Sequence, residues 1–432
     1  MTIKALYPSI RPTLNLDFAK TKALDPRVTF TRASPATFVD SNGLIQTAAS
    51  GAARFDHNPA TGESLGLLVE EARTNSIWPS EPTTASARNI TGNPGNAWAV
   101  YDGTVTSSAK NGITGLEVTI SSTLDNNGFT GGNAIPWGGI GGGGTVTSGA
   151  TASISFFINP LTWTGNIYLA ALFGDSNNTF DPRTFQLFNN GIYTNSASYV
   201  KKVFADGTYW LSGIPFSSLF LYTATQPFLV VYTTTTGDNA KKYWAGGFQW
   251  EAGAFSTSYI PTTTATVTRA ADVASMSGTN FSSWYSATPQ SWLVKYKTPY
   301  VASGSVNPTI LKHGTIGLSG NGPAIRVNTS TSSLFWDPLT SPEIFRTADF
   351  SKNMLQGIYA TAFDYPNGTL SQSFGGEVSA TTFTGRSSPS TTSMTFGACS
   401  GSSYAYLNGT IAQLTYYPIK LSNTQLQALT AT

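Results

Sequence analysis

The chain has 432 residues and a formal net charge of +2, and only 11% of its residues are charged. An ordinary soluble domain carries about 25% charged residues. Because aromatic residues make up 12% of the chain, the composition excludes an intrinsically disordered protein, which is rich in charge and poor in aromatics. No cluster of Lys and Arg suits phosphate contacts, and no apolar run approaches the roughly 20 residues of a membrane span. We therefore expect neither nucleic-acid nor membrane binding.

Residue usage predicts an all-β protein. Thr, Val, Tyr, Phe and Trp favour strands, and the 42 Gly together with Asn and Pro favour turns. The length predicts two or three domains at about 150 residues each. A single cysteine, Cys399, excludes an intrachain disulfide, and two distant histidines, His57 and His313, exclude a multi-histidine metal site. We expect no required cofactor.

Residues 1–75 differ from the rest because they hold 15 charged side chains. Short strands are predicted at 14–18 and 28–32, with a hairpin tip at 40–43 and an apolar run at 65–69. Such short pieces offer little core of their own. We expect an extended N-terminal arm that docks on another surface.

Residues 76–262 show short alternating strands at regular intervals, which indicates an antiparallel β-sandwich or jelly roll. The predicted strands are 115–121, 152–158, 167–173, 184–187, 209–214, 226–232 and 243–250. The glycine-rich run 138–144 is predicted to be a flexible loop. It lacks the Lys-Ser/Thr pair and following helix of a phosphate site.

A polar, Thr- and Ala-rich linker is predicted at 263–280, followed by a second β-sandwich at 281–432. The predicted strands are 291–296, 309–312, 324–328, 333–336, 357–364, 368–374, 393–397 and 409–417. A short C-terminal helix is expected at 421–429 with Ser422 as its N-cap. The sequence TFTRAS at 29–34 is echoed by TVTRAA at 266–271, which is too short to establish a repeat and is equally compatible with chance.

Three stretches resemble structural proteins of tailed bacteriophages. Two are the run from TFTRASPATF to LLVEEARTN at 29–75 and GGFQWEAGAFSTSYIPTTTATVTRAADVASM at 246–276. The third, YLNGTIAQLTYYPIKLSNTQLQAL at 406–429, resembles the last strand and helix of concanavalin A-like (laminin-G-like) lectin domains in those proteins. The resemblance implies a tail-fibre or tailspike-like virion protein built on a jelly-roll, carbohydrate-binding-module-like sandwich and a lectin-like sandwich.

The same resemblance implies a virion location after synthesis in the bacterial cytoplasm. The expected partners are other virion proteins and host-surface polysaccharide. The chain is also expected to form a homo-oligomer, with a trimer favoured. No catalytic residue set carries over, and the chain lacks the long run of short parallel-helix coils of depolymerising tailspikes. We therefore expect a non-enzymatic tail fibre or receptor-binding protein. The alternatives are a capsid decoration or head-fibre protein and, with less support, a glycan-degrading tailspike.

Charged residues of the arm are candidates for anchoring through bidentate ion pairs. They are Arg27, Arg32, Arg54, Glu70, Glu71 and Arg73. An acid/base role for Glu70 and Glu71 is the alternative. Neighbours on a strand point to opposite faces, so the two would not flank one glycosidic bond. Pairing with Arg54 or Arg73 is the better interpretation.

Exposed aromatic rings are the candidates for glycan binding. Trp137 stands first, followed by Trp98 with Tyr101 in a Gly/Asn-rich stretch, and then Trp336 before Asp337. Packing in the core is the alternative for each. Four other tryptophans lie within strand patterns and are predicted to be core or subunit interface; these are Trp210, Trp244, Trp250 and Trp292.

One loop offers several oxygen ligands within seven residues. Asp175, Asn177 and Asp181 would suit Ca²⁺, which prefers such oxygens. The same residues also build turns by bonding their own backbone. Without EF-hand spacing, the turn is the better interpretation of this loop.

Overall fold

The structure is a computed structural model, and its described parts contain 32 strands and three short helices. It describes residues 8–84, 86–87, 99–100, 103–120, 137–141, 151–162, 166–174, 180–189, 200–217, 227–232, 242–253, 255–287, 289–298, 307–313, 324–328, 333–337, 346–349, 355–364, 368–383, 391–397 and 404–431. In some of these strands only the backbone is described. None of the helices in these ranges has the length and hydropathy of a membrane span.

The N-terminal segment consists of short strands and one helical turn. They are β1 (Leu14–Asp17), α1 (Phe18–Thr21), β2 (Thr29–Thr31), β3 (Ala36–Val39), β4 (Ile45–Ala48), β5 (Arg54–His57), β6 (Ser64–Val69) and β7 (Arg73–Asn75). The predicted hairpin is present. Strands β3 and β4 pair in antiparallel fashion, and Gly43 in the turn adopts a φ of +76°.

The first sandwich contains two antiparallel sheets. Its strands, with two short neighbours, are β8 (Ser86–Ala87), β9 (Ala99–Val100), β10 (Gly103–Lys110), β11 (Ile113–Ile120), β12 (Trp137–Gly141), β13 (Thr151–Asn159), β14 (Asn166–Gly174), β15 (Phe180–Asn189), β16 (Val200–Val203), β17 (Tyr209–Ser217), β18 (Pro227–Tyr232) and β19 (Lys242–Ala252). One sheet has the order β10-β11-β19-β13-β17-β16, and the other has the order β12-β18-β14-β15. The prediction of a loop at 138–144 is wrong for residues 138–141, because they lie in β12 and pair with β18.

The remaining elements build the C-terminal sandwich. They are β20 (Val267–Arg269), β21 (Val273–Ser277), α2 (Thr279–Ser282), β22 (Gln290–Lys297), β23 (Asn307–His313), β24 (Ala324–Asn328), β25 (Ser333–Asp337), β26 (Arg346–Asp349), β27 (Gln356–Phe363), β28 (Gly368–Phe374), β29 (Glu377–Phe383), β30 (Ser393–Phe396), β31 (Tyr404–Ala405), β32 (Gly409–Tyr417) and α3 (Asn423–Thr430). The all-β prediction is confirmed. The predicted C-terminal helix is also present, and Ser422 caps it in a reciprocal capping box with Gln425.

The C-terminal sandwich takes in much of the N-terminal segment. One sheet has the order β29-β28-β27-β22-β32-β6-β5, with β1 also pairing with β32, and the other has the order β2-β21-β30-β23-β24-β25-β26. Leu14, Leu16, Leu67 and Val69 lie in the same buried cluster as Trp292. The arm at 1–75 therefore docks within its own chain, because its alternating apolar residues complete this core.

The segment 263–280, predicted as a linker, contains strands β20 and β21. Strand β20 pairs with β7, and β21 lies between β2 and β30. Its core-facing residues are Ala274 and Met276, both fully buried. The polar character that suggested a linker comes partly from Arg269 and Asp272, which are buried in ion pairs instead of facing solvent.

Candidate functional site

An open cleft with a volume of about 90 Å³ lies where the two sandwiches and the β3–β4 hairpin meet. The hairpin contributes Phe38 and Val39, the first sandwich contributes Lys202 and Trp210, and the C-terminal sandwich contributes Lys297. We call this site the junction cleft.

An aromatic cluster forms the wall on the side of the first sandwich. Phe157 of β13 stacks on Trp210 of β17 with ring centroids 6.0 Å apart and an interplanar angle of 18°. Phe204 and Tyr259 meet Phe157 edge-on, each at 5.8 Å. These contacts hold the indole in place. Trp210 is 7% exposed, and its Nε1–H has no hydrogen-bond acceptor among the residues that the structure describes.

Lys202 stands against this wall. It lies opposite Trp210 in the β16–β17 register, and its ammonium is 4.5 Å from the centre of the Trp210 ring. The same ammonium is 3.7 Å from Asp56 Oδ2. Lys297, at the end of β22, also lines the cleft. Partial desolvation and the nearby Lys202 ammonium lower the pKa of Lys297.

Asp56 has a backbone partner as well as Lys202. Its Oδ1 accepts a hydrogen bond of 2.8 Å from the Val39 N–H, and His57 Nδ1 lies 2.9 Å from the Val39 carbonyl oxygen. These bonds tie β5 to the hairpin. Ser34 is engaged elsewhere, since its hydroxyl accepts from the Ala270 N–H at 2.9 Å.

Behind the cleft lies a group of buried ion pairs, which we call the arginine cluster: Arg32, Arg54, Arg269, Glu70 and Asp272. Arg54 Nη2 is 2.8 Å from Glu70 Oε2 and 2.5 Å from Asp272 Oδ2. Glu70 also accepts from the N–H and hydroxyl of Ser258, at 2.7 and 2.6 Å. Although burial opposes ionisation, the two neighbouring arginines and Ser258 lower the pKa of Glu70 to about 2.

The two arginines of the sequence echo converge on this cluster. Arg32 follows β2, and its Nη1 is 3.1 Å from Asp272 Oδ1. Arg269 ends β20, and its Nη1 is 3.5 Å from Glu70 Oε2 and 3.9 Å from Asp272 Oδ2. Each copy of the Thr-x-Thr-Arg-Ala motif thus contributes one guanidinium that pairs with Asp272.

The anchoring candidates occupy two kinds of site. Arg32, Arg54 and Glu70 are buried, and they contact partners within the chain. The predicted pairing with Arg54 or Arg73 is present: Glu70 contacts Arg54, and Glu71 is 2.5 Å from Arg73 Nη2, on the more exposed side. Arg27 pairs with Asp25 at 2.8 Å near the surface. A role in anchoring to another protein stays a prediction for all six.

The four glycan-binding candidates are not among the residues whose side chains the structure describes. Trp137 and Trp336 occupy β12 and β25, where only the backbone is described, and Trp98 and Tyr101 lie outside the described residues. Trp244, Trp250 and Trp292 are buried, as predicted. The sequence analysis predicted that Trp210 is also core or subunit interface, and it did not predict that Trp210 lines the cleft. The Asp206-Gly207 turn could have revealed the β16–β17 hairpin and hence the Lys202–Trp210 pair.

The predicted calcium loop is not described: Asp175 and Asn177 lie outside the described residues, and only the backbone of Asp181 in β15 is placed. Across the described ranges, no three His, Cys, Asp or Glu side chains gather as metal ligands would. Calcium binding stays a prediction.

No family model and no curated protein matches the chain. Among solved structures, it is similar to domains LG4-5 of the mouse laminin alpha1 chain at 10% identity and a TM-score of 0.25, covering 65% of this chain and 86% of that one. It is also similar to the N-terminal CBM22-1-CBM22-2 tandem domain of Paenibacillus barcinonensis Xyn10C at 8% identity and a TM-score of 0.23, covering 79% and 99%. Likenesses of this extent identify neither a family nor a function.

Proposed function

We propose that this chain is a non-enzymatic, glycan-binding structural protein of a tailed-phage virion, of the tail-fibre or receptor-binding kind. The observation that carries the binding role is the junction cleft, which combines an aromatic wall with charged groups and hydroxyls. Such a combination suits a sugar, because the C–H faces of a sugar pack on rings while its hydroxyls need polar partners.

The virion assignment draws on the sequence resemblance. Its two longer segments, 29–75 and 246–276, are far apart in the chain but meet in the structure. Together they supply all five members of the arginine cluster. This contact supports treating the two segments as one structural unit.

The non-enzymatic assignment draws on the carboxylates that line the cleft. Glycoside hydrolysis usually needs a carboxylic acid that can donate a proton near neutral pH. Glu70, with a pKa of about 2 and two arginine partners, stays ionised. Asp56 is tied to the Val39 N–H and faces Lys202. Glu70 and Asp56, each engaged by cationic side chains, are therefore better suited to electrostatic stabilisation than to proton transfer. On a virion, several copies of a weak site would act through avidity.

The test combines binding, product analysis and location. Purified chain is titrated with envelope polysaccharide from candidate host strains, and the polysaccharide is then sized by chromatography. We expect saturable binding without shortening of the polymer, and labelled antibody should decorate the tail in electron micrographs of intact particles. Absence of binding to every envelope polysaccharide, or release of oligosaccharides, would contradict the proposal. Decoration of the head alone would favour the capsid-decoration alternative.

A further inference from the structure

Three hydrogen-bond donor groups line the junction cleft at or near its aromatic end. Indole Nε1 can only donate, and that of Trp210 is buried without an acceptor among the described residues. Lys202 contributes an ammonium beside the same ring, and Lys297 contributes a second one. A buried donor without a partner is costly. A ligand that brings acceptor oxygens would remove this cost.

The charges around the cleft also favour an anion. Glu70 is neutralised by Arg54 and Arg269 behind the wall. Asp56 is the carboxylate that faces Lys202, and its Oδ1 is already bonded to the backbone. Among the residues that line the cleft, two ammonium groups therefore face one half-engaged carboxylate, and Glu63, outside that lining, also acts on Lys297. Partial desolvation and the Lys202 ammonium lower the pKa of Lys297 against the opposing effects of Asp56 and Glu63.

The position of Lys202 distinguishes an acidic sugar from a neutral one. A neutral sugar stacking on the Trp210 ring would have to displace the ammonium that lies over it. A sugar carboxylate would instead use that ammonium as its partner. Ser212, Ser256 and Thr257 also line the cleft. A hydroxyl that already donates, as that of Thr257 does to Glu251, can still accept a hydrogen bond from a sugar hydroxyl.

We propose that the junction cleft binds an acidic sugar residue, with its carboxylate held by Lys202, Lys297 and the Trp210 Nε1–H. This inference rests on the proposed glycan-binding function and names the class of glycan. It places a glycan site at the junction of the two sandwiches, while glycan binding by Trp137, Trp98, Tyr101 and Trp336 stays a separate prediction.

The probes are glucuronate, galacturonate and N-acetylneuraminate, with glucose and galactose as neutral counterparts. Saturation-transfer NMR detects their binding to the purified chain, and calorimetry measures the affinity. We expect at least one acidic sugar to bind, its neutral counterpart to bind about tenfold or more weakly, and affinity to fall as NaCl rises from about 50 to 500 mM. Equal binding of acidic and neutral sugars, or no binding of the acidic ones, would overturn the inference. Binding of oligoglutamate as tight as that of the sugar would overturn the sugar assignment.

Variants locate the site. Lys202→Ala and Lys297→Ala should each weaken binding about tenfold or more, and Trp210→Phe, which keeps an aromatic ring but removes the donor, should also weaken it. Lys295→Ala is the matched control, since Lys295 is an exposed lysine two residues along the same strand and does not line the cleft. Unchanged affinity in both cleft lysine variants would refute the assignment. If envelope polysaccharide still binds the wild type in that case, the proposed function survives and only the location fails.

Discussion

Asp272 is the residue on which the arginine cluster depends most. Its carboxylate receives Arg32 Nη1 at 3.1 Å, Arg54 Nη2 at 2.5 Å and the Glu70 N–H at 2.9 Å, and its side chain is 0% exposed. Asp272→Asn keeps the shape but removes the charge. Arg54 and Arg269 would then share the single carboxylate of Glu70, and Arg32 would lose its carboxylate partner.

We expect Asp272→Asn to lower the free energy of unfolding by about 3–5 kcal/mol, the usual cost of removing one partner of a buried ion pair. The arginines would remain desolvated with too little compensating charge. Because Asp272 connects β2, β5 and β21, the loss should spread from the cluster into both sheets of the C-terminal sandwich. Urea unfolding followed by tryptophan fluorescence measures the change. Hydrogen exchange of peptides covering 29–34 and 266–276 locates it.

Asp25→Asn is the matched control for this substitution. Asp25 forms a bidentate pair with Arg27, at 2.8 Å for each bond, but the two side chains are 23% and 32% exposed. An ion pair accessible to water contributes only about 0–1 kcal/mol. A similar small change in both variants would refute the argument that burial makes the cluster important. A large change in Asp272→Asn with normal exchange at 29–34 would refute the proposed connection between the elements.

Two further predictions concern a glycine and a buried acid. Gly66→Ala should prevent β6 from pairing with β32, because the φ of Gly66 is +94° and a Cβ there would lie 2.2 Å from the Ile411 carbonyl oxygen. Gly51 has a φ of +75° but open space around it. Gly51→Ala should therefore lower the free energy of unfolding, measured by chemical denaturation, by only about 1–2 kcal/mol. Burial raises the pKa of Glu251 to about 7 against the opposing effect of its bonds from Thr257. The folded state therefore holds this proton more tightly than the unfolded state, so stability should fall between about pH 4.5 and 7. In Glu251→Gln, the midpoint of unfolding should depend less on pH across that range. The same pH dependence as in the wild type would contradict the role given to Glu251.

The sequence itself determined the class of the fold and many of its strands. Alternating apolar and polar residues specify which face of a strand is buried, and a local turn such as 40–43 or a cap such as Ser422 needs only its neighbours. The sequence also predicted that Glu70 and Glu71 pair with Arg54 or Arg73, although both residues lie between β6 and β7 and not on one strand. These features depend on contacts within a few residues.

Tertiary structure alone decided where the polar segments go. Composition made 1–75 an arm and 263–280 a linker, because charged and hydroxyl-rich stretches ordinarily face solvent. Here Arg32, Arg54 and Arg269 are buried, since Glu70 and Asp272 arrive from distant parts of the chain to neutralise them. The junction cleft has the same origin, because Lys202, Trp210 and Lys297 meet only when both sandwiches are in place. The low content of charged residues limits how many ion pairs the chain can form. Where those ion pairs lie is decided by contacts between residues that are far apart in the sequence.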